Sequence, residues 1–328
     1  MKKLILFALC AALLAAALAS CSSTDVGDDT KKLSIVTTIF PEYEWVREIV
    51  GDATEHVEYT ILLDNGVDLH NYQPTAADVL KISSCDMFIY VGGESDTWVD
   101  GALAEATNKD MVVIDLMEVL GDALKEEERK EGMETEAEEE GEEGEEEEGP
   151  EYDEHIWLSL KNAAALCRVI CDKLCTVDAD HAGAFRANAD AYIAKLNDLD
   201  AKYKEAVDNA SVKTLVFGDR FPFRYMFADY GIDYYAAFMG CSAESEASFD
   251  TRLFLAEKID ELGLSSIMKI ETSDGSLAES IIESTETKDQ KILTMNSLQS
   301  VNREKIDAGA TYLTEMEKNL EVLKEALG

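Results

Sequence analysis

From Leu33 onward, short apolar runs rich in β-branched residues alternate with helical stretches. Such alternation dictates a parallel sheet wrapped by helices, because parallel neighbours need a crossover connection, usually a helix. Residues 33–38, 57–63, 87–91 and 111–115 read as strands, and 42–50, 75–83 and 96–105 read as helices between them. A second alternating region begins with a strand at 214–217. Strands at 266–270 and 291–294 follow, with helices at 248–262, 276–284 and 310–327. Two helical stretches, 160–175 and 179–207, separate the regions. The second carries Phe185, Tyr192, Ile193, Leu196, Leu199 and Tyr203, mostly at three- and four-residue steps. At about 1.5 Å per residue it spans about 40 Å, the height of a two-lobed protein. The predicted class is therefore α/β: two (βα)-type lobes with mostly parallel sheets joined by a long helix. The length of 328 residues agrees, at roughly 100–200 residues per domain. Residues 33–176 form the expected N-terminal lobe, 177–210 the interlobe helix and 211–328 the C-terminal lobe.

Charge excludes one large class of function. With 29 Lys+Arg against 68 Asp+Glu the formal net charge is −39, whereas a nucleic-acid binder needs basic surface to displace counterions. Only the first twenty residues form a long apolar run, which excludes a polytopic membrane protein. That run reads as an export signal. Lys2 and Lys3 precede an Ala/Leu-rich segment, and Leu18-Ala19-Ser20-Cys21 closes it with small residues before a cysteine. The arrangement resembles a bacterial lipobox, which implies cleavage after residue 20 and lipidation of the Cys21 thiol. Residues 1–20 are then the signal peptide and the polar residues 21–32 a flexible tether. The mature chain is expected to be lipid-anchored to the cell membrane on its extracytoplasmic side.

Between Glu126 and Glu154, 18 acidic residues meet two basic ones, contributing −16 of the net charge. Self-repulsion and the scarcity of apolar residues predict a disordered insertion over 126–152, looping out of the N-terminal lobe. Its carboxylates are expected to gather divalent cations weakly rather than form a true site. Beyond the lipobox there remain Cys85, Cys167, Cys171, Cys175 and Cys241, an odd number that argues against a complete disulfide framework. Cys167, Cys171 and Cys175 fall at i, i+4 and i+8, on one helix face. They read as a buried small apolar face rather than a soft-metal triad.

Four histidines carry the remaining chemistry. His56 precedes a strand, and His181 opens the long helix beside Asp178 and Asp180; both read as surface or capping residues. His70 lies in Gly66-Val67-Asp68-Leu69-His70-Asn71-Tyr72-Gln73-Pro74-Thr75, a loop beyond the carboxyl end of a strand, where open α/β sheets bind ligands. Thr75 is placed to cap the helix that follows. His155 stands in Tyr152-Asp153-Glu154-His155-Ile156-Trp157-Leu158, between carboxylates and an indole. Two loop imidazoles with carboxylates suit Zn2+ or another divalent ion, Asp153 being able to orient a ring from behind. By residue type alone, solvent-facing histidines explain both positions as well.

The lipobox, the G-x-x-x-H-x-Y-x-P-T run at residues 66–75 and the D-x-H-I-W at residues 153–157 together resemble one family. It is the metal-binding solute receptor of zinc/manganese ABC importers, also called the zinc-uptake or lipoprotein-receptor-antigen family. Residues 85–93, Cys-Asp-Met-Phe-Ile-Tyr-Val-Gly-Gly, are similar to its strand and Gly turn after the first ligand. The charged insertion before the second histidine and the long helix fit the same order, so the resemblance covers the chain from about residue 18. It implies a rigid interlobe helix, a metal site in the interlobe cleft, and His70 and His155 as the first two ligands. The family's third ligand is His or Glu. Alignment back from Tyr225 and Tyr230-Gly231 puts Arg220 there, and a guanidinium has no free lone pair. Asp219, one residue earlier, is the expected substitute, with Arg220 pairing with Asp219 or Glu271 or simply anchoring the loop. The fourth ligand implied is Glu271, at a strand end, with Asp274 near the position that manganese-type members use. The resemblance thus implies a non-enzymatic monomer that captures Zn2+, or alternatively Mn2+, for a membrane permease. An exported zinc hydrolase and a metal-stabilised surface adhesin are the rival readings; no H-E-x-x-H or G-x-S-x-G is present for the former.

Overall fold

The computed structural model describes residues 32–134, 151–242 and 246–328. The expected signal peptide, Cys21, the tether to residue 31 and the middle of the acidic insertion lie outside the described residues. Among those described, no helix is long and apolar enough to cross a membrane.

Leu33–Gly328 form one compact unit holding two sheets. In the first, β1 (Leu33–Thr37), β2 (Val57–Ile61), β3 (Met87–Tyr90) and β4 (Val112–Asp115) are all parallel, in the order β2-β1-β3-β4. Helices α1 (Phe40–Val50), α2 (Ala76–Ser84), α3 (Val99–Ala104) and α4 (Leu116–Leu120) connect and cover them. Next come α5 (Leu160–Val177) and α6 (Ala182–Asp208), packed as a hairpin. The second sheet repeats the first: β5 (Thr214–Arg220), β6 (Asp233–Phe238), β7 (Ser266–Ile270) and β8 (Lys291–Met295), parallel in the order β6-β5-β7-β8. It is accompanied by α7 (Arg224–Tyr230), α8 (Phe249–Leu262), α9 (Ser276–Ile282), α10 (Arg303–Asp307) and α11 (Tyr312–Leu327). In each sheet the chain leaves the first strand to one side and returns on the other. The loops beyond the carboxyl ends at that reversal frame a crevice.

The 27 residues of α6 bury the predicted stripe, from Phe185 through Tyr192, Leu196, Leu199 and Tyr203 to Val207. Tyr203 donates its hydroxyl to Met316 O at 2.6 Å, fastening α6 to α11. The α5 cysteines Cys167, Cys171 and Cys175 are buried and free, as a small apolar face requires. At the start of α2, Thr75 Oγ1 accepts the Asp78 N–H while Asp78 accepts the Thr75 N–H, a reciprocal cap.

Three features depart from expectation. Strand β6, Asp-Tyr-Tyr-Ala-Ala-Phe, is absent from the sequence reading; its alanines carry little β signal, and pairing with β5 supplies the reason to extend. Strand β5 continues past 217 to Arg220 through a register shift. Gly218 permits this, since a Cβ there would lie 2.9 Å from Ala278 Cα on α9. Finally, disorder over 126–152 does not hold at the ends of that segment. Glu126 bridges to Tyr152, and Arg224 holds Glu126 O at 2.9 Å and Glu128 at 2.7 Å. Lys130 pairs with Asp233, and Glu134 N–H donates to Ala237 O at 2.9 Å. Cationic partners and an open β6 edge offset the self-repulsion there.

Buried Glu42 shapes the mouth of the first sheet. It accepts the Thr38 N–H at 2.9 Å and the Ile39 N–H at 3.3 Å, capping α1 where β1 ends. Burial, then the charge of Asp96, pushes its carboxyl well above the ordinary range, outweighing those donors. The folded state therefore holds this proton at pH values where the unfolded chain, with a pKa near ~4.3, has released it. Over that window stability falls as pH rises. Glu42→Gln keeps an acceptor and removes the charge. Denaturant titrations at several pH values should show the variant gaining on the native chain from about pH 4 upward.

Candidate metal centre

Each of the two loop histidines stands two residues after an aspartate, and in both places that aspartate sets the ring. After β2 the chain enters a single 3-10 turn, Leu69–Asn71, with Asp68 as its N-cap. Asp68 Oδ1 accepts the His70 N–H at 3.1 Å and lies 2.7 Å from His70 Nδ1. Asp153 does the same for His155, taking its N–H at 2.8 Å and lying 3.2 Å from its Nδ1. A carboxylate only accepts, so each Nδ1 carries the proton, and in the neutral ring each Nε2 keeps its lone pair. Both Nε2 atoms are buried with no hydrogen-bond partner. The ring centroids are 5.1 Å apart. Two orphan acceptors converging in a buried place require an explanation, and a bound cation supplies one.

Glu154 adds a third. Its Oε1 accepts the Ser95 N–H at 2.9 Å, while Oε2 is buried, unpartnered and 3.8 Å from His70 Nε2. The Gly92-Gly93 turn makes room with φ of 94° and 81°; a Cβ on Gly93 would lie 2.5 Å from Glu154 Oε1. From the opposite lobe comes Cys241, just beyond β6. Its sulfur and one nitrogen each of His70 and His155 lie within 4.8 Å of one another, the one such group able to hold a metal ion among the described residues.

Asp68 also reaches across the lobes. Its Oδ2 accepts from Arg220 Nη2 at 2.6 Å and Gln299 Nε2 at 2.9 Å. Burial works against its charge, but His70 and Arg220 outweigh that and hold the carboxyl below the ordinary range. At His155 burial opposes protonation, and the Asp153 carboxylate overcomes it, leaving the imidazole pKa raised. Burial, with the Glu154 charge, lifts neighbouring Asp96 up to about 7 despite the Gly92 N–H it accepts. Negative charge is thus in excess around the two Nε2 atoms, which suits a cation.

The expected C-lobe ligands are placed otherwise. Asp219 accepts the Arg220 N–H with Oδ1 at 2.8 Å and the Ile270 N–H with Oδ2 at 3.1 Å, so the strand-end backbone occupies both oxygens. Glu271 is similarly engaged, by the Ser297 N–H and hydroxyl, each at 2.8 Å. Exposed Asp274 caps Ser276 at 2.8 Å. None joins the two imidazoles. Asp219, Arg220 and Asp274 instead line, together with Asp68, a cavity of about 630 Å³, whereas His70, Glu94, Glu127, Glu151, Glu154 and Cys241 line another of about 230 Å³. The Arg220 guanidinium pairs with Asp68 at 2.6 Å instead of the expected Asp219 or Glu271, a partner that sequence reasoning does not single out. Of the other histidines, His181 bonds Asp178 at 2.7 Å and stacks on His56 at 5.3 Å.

Residues 35–326 match the family described as ZnuA, zinc-uptake complex component A periplasmic. The chain is 34% identical over 327 residues to the zinc-binding lipoprotein AdcA of Streptococcus pneumoniae strain ATCC BAA-255 / R6, covering 99% of itself and 61% of that relative's length. It is 31% identical over 324 residues to the high-affinity zinc uptake system protein ZnuA of Bacillus subtilis strain 168, covering 98% of itself and 97% of that protein. Among solved structures, the Zn(II)-bound ZnuA-like domain of Streptococcus pneumoniae AdcA superposes with a TM-score of 0.68 at 30% identity, over 90% of this chain and 99% of that one. Matched across both sheets and the helices that join them, the chain belongs to the ZnuA family of zinc-uptake components.

Proposed function

We propose that this chain captures Zn2+, in preference to Mn2+, and hands it to the permease of an ABC importer while anchored to the membrane through Cys21. The observation that carries this reading is the convergence of the buried, unpartnered Nε2 atoms of His70 and His155 beside the free Oε2 of Glu154. Imidazole nitrogens favour zinc, whereas Mn2+ prefers an oxygen shell. An Nδ1–H held by a carboxylate is the usual support of a zinc-ligating histidine, fixing the tautomer and raising its basicity. The zinc-binding and zinc-uptake names of the relatives support the cargo, and they are not names of enzymes, which sets the hydrolase reading aside. No observation favours the adhesin reading.

Asp68 joins the His70 ring to Arg220 and Gln299 of the other lobe, so parting the lobes frees the ring as it opens the cleft. That coupling gives a monomer a way to release a tightly held ion at the permease. Chain stripped of metal should bind one equivalent of Zn2+ that excess Mn2+ does not displace. In a deletion strain under zinc chelation, the native gene should restore growth and the His70→Ala/His155→Ala gene should not. Asp68→Ala and Asp153→Ala should each weaken Zn2+ binding by about 10–100-fold while keeping one equivalent, as competition with a chromophoric chelator would measure. Unchanged affinity in both would remove the carboxylates from the account.

A further inference from the structure

Arg220 stands where the family resemblance puts a third ligand, and it is committed to Asp68. The residue that reaches the imidazoles from the C-terminal lobe is Cys241. Its position follows from the repeated topology: β6 holds in the second sheet the edge place that β2 holds in the first, so the loop after β6 is the counterpart of the loop carrying His70. Two contacts bring that loop to the site. Gly240 passes so close to His155 that a Cβ there would lie 3.3 Å from His155 Cε1 and 2.9 Å from Phe221 O. Glu127, at the root of the acidic insertion, accepts the Cys241 N–H at 3.2 Å. The fully buried His155 contributes an Nε2 with no other partner.

We propose, on the reading of this site as a zinc receptor's, that Cys241 Sγ is its third protein ligand, making a shell of two imidazole nitrogens and one thiolate sulfur for borderline and soft cations such as Zn2+, Co2+ and Cd2+. Ligand atoms around a tetrahedral zinc lie about 3.4–3.6 Å apart, from Zn–N near ~2.05 Å and Zn–S near ~2.3 Å. The three atoms already stand within 4.8 Å, so coordination needs movements of about 1 Å or less. A thiolate from one lobe and two imidazoles from the other make the ion itself the link between lobes. Sulfur also strengthens discrimination against Mn2+, which binds thiolate poorly. Glu154 or a water completes the fourth position.

The test uses the whole metal-stripped chain loaded with Co2+ and read by absorption spectroscopy. The native chain should show a near-ultraviolet thiolate-to-cobalt charge-transfer band, and Cys241→Ser should lose it. Zn2+ affinity should fall on the order of a hundredfold in that variant, with Mn2+ affinity changed less than about tenfold. Cadmium-113 NMR of the native chain reports sulfur ligation directly, without any variant that must fold. Stoichiometric metal binding with no charge-transfer band and a cadmium shift typical of nitrogen and oxygen ligands alone overturns the Cys241 assignment and leaves the zinc-receptor reading standing. A band that persists in Cys241→Ser also overturns it. Absence of any metal binding overturns both.

Discussion

Replacing His70 and His155 together by Ala should remove stoichiometric Zn2+ binding. Structural zinc sites bind with about 10–16 kcal/mol, or roughly 3 kcal/mol for each of four ligands. Two imidazoles then account for about 6 kcal/mol, on the order of a ten-thousandfold loss of affinity. Each single variant should lose on the order of a hundredfold. Calorimetric titration with Zn2+ measures both, and far-ultraviolet circular dichroism confirms that the fold survives. His155 is the more sensitive position for stability, being fully buried, whereas the His70 side chain keeps 9% of its surface in solvent. Binding of one tight equivalent by the double variant would move the site away from these rings.

Trp157→Ala should be the most destabilising of the simple substitutions near the site. The indole is 1% exposed and donates from Nε1 to Ser297 O at 2.8 Å, while Tyr312 donates its hydroxyl to Trp157 O at 2.6 Å. Trp157 therefore ties the His155 segment to two elements of the second lobe, and its ring lies 5.2 Å from that of His155. Removing a buried aromatic costs about 3–5 kcal/mol, and the orphaned Ser297 carbonyl adds about 1–3 kcal/mol. Thermal denaturation of the metal-free protein should show a fall on the order of 10 °C. Trp157→Phe keeps most of the packing and loses only the N–H, so its cost should stay near the lower figure of about 1–3 kcal/mol. An equal loss from both would mean that the hydrogen bond, not the packing, holds this segment.

Strand–helix alternation in parallel sheets is written in near-continuous apolar runs such as Met87–Tyr90, so the first sheet and most of the second are legible in the sequence. Strand β6 is not, because its Ala236 and Ala237 acquire their burial only from neighbours in the sheet. The two imidazoles are found through motif resemblance, but a simpler signal lies beside them: Asp68-Leu69-His70 and Asp153-Glu154-His155 repeat an Asp-x-His pattern whose geometry is the same twice over. Without that comparison Asp68 goes unnoticed. The C-lobe residues fail for a different reason. Asp219 and Glu271 have the right chemistry at strand ends, yet strand ends are also where unpaired N–H groups need acceptors, and that demand is what they meet. Cys241 carries no local signal at all. Its approach to His155 depends on the absent side chain of Gly240, a long-range contact that only the folded chain reveals.

The proposed site places a single Zn2+ between the Nε2 atoms of His70 and His155. A crystal of the zinc-loaded chain, measured on both sides of the zinc absorption edge, tests it directly. One anomalous peak about 2.0–2.1 Å from each Nε2 is the predicted result. A peak bound elsewhere, with the two rings left free, would contradict it.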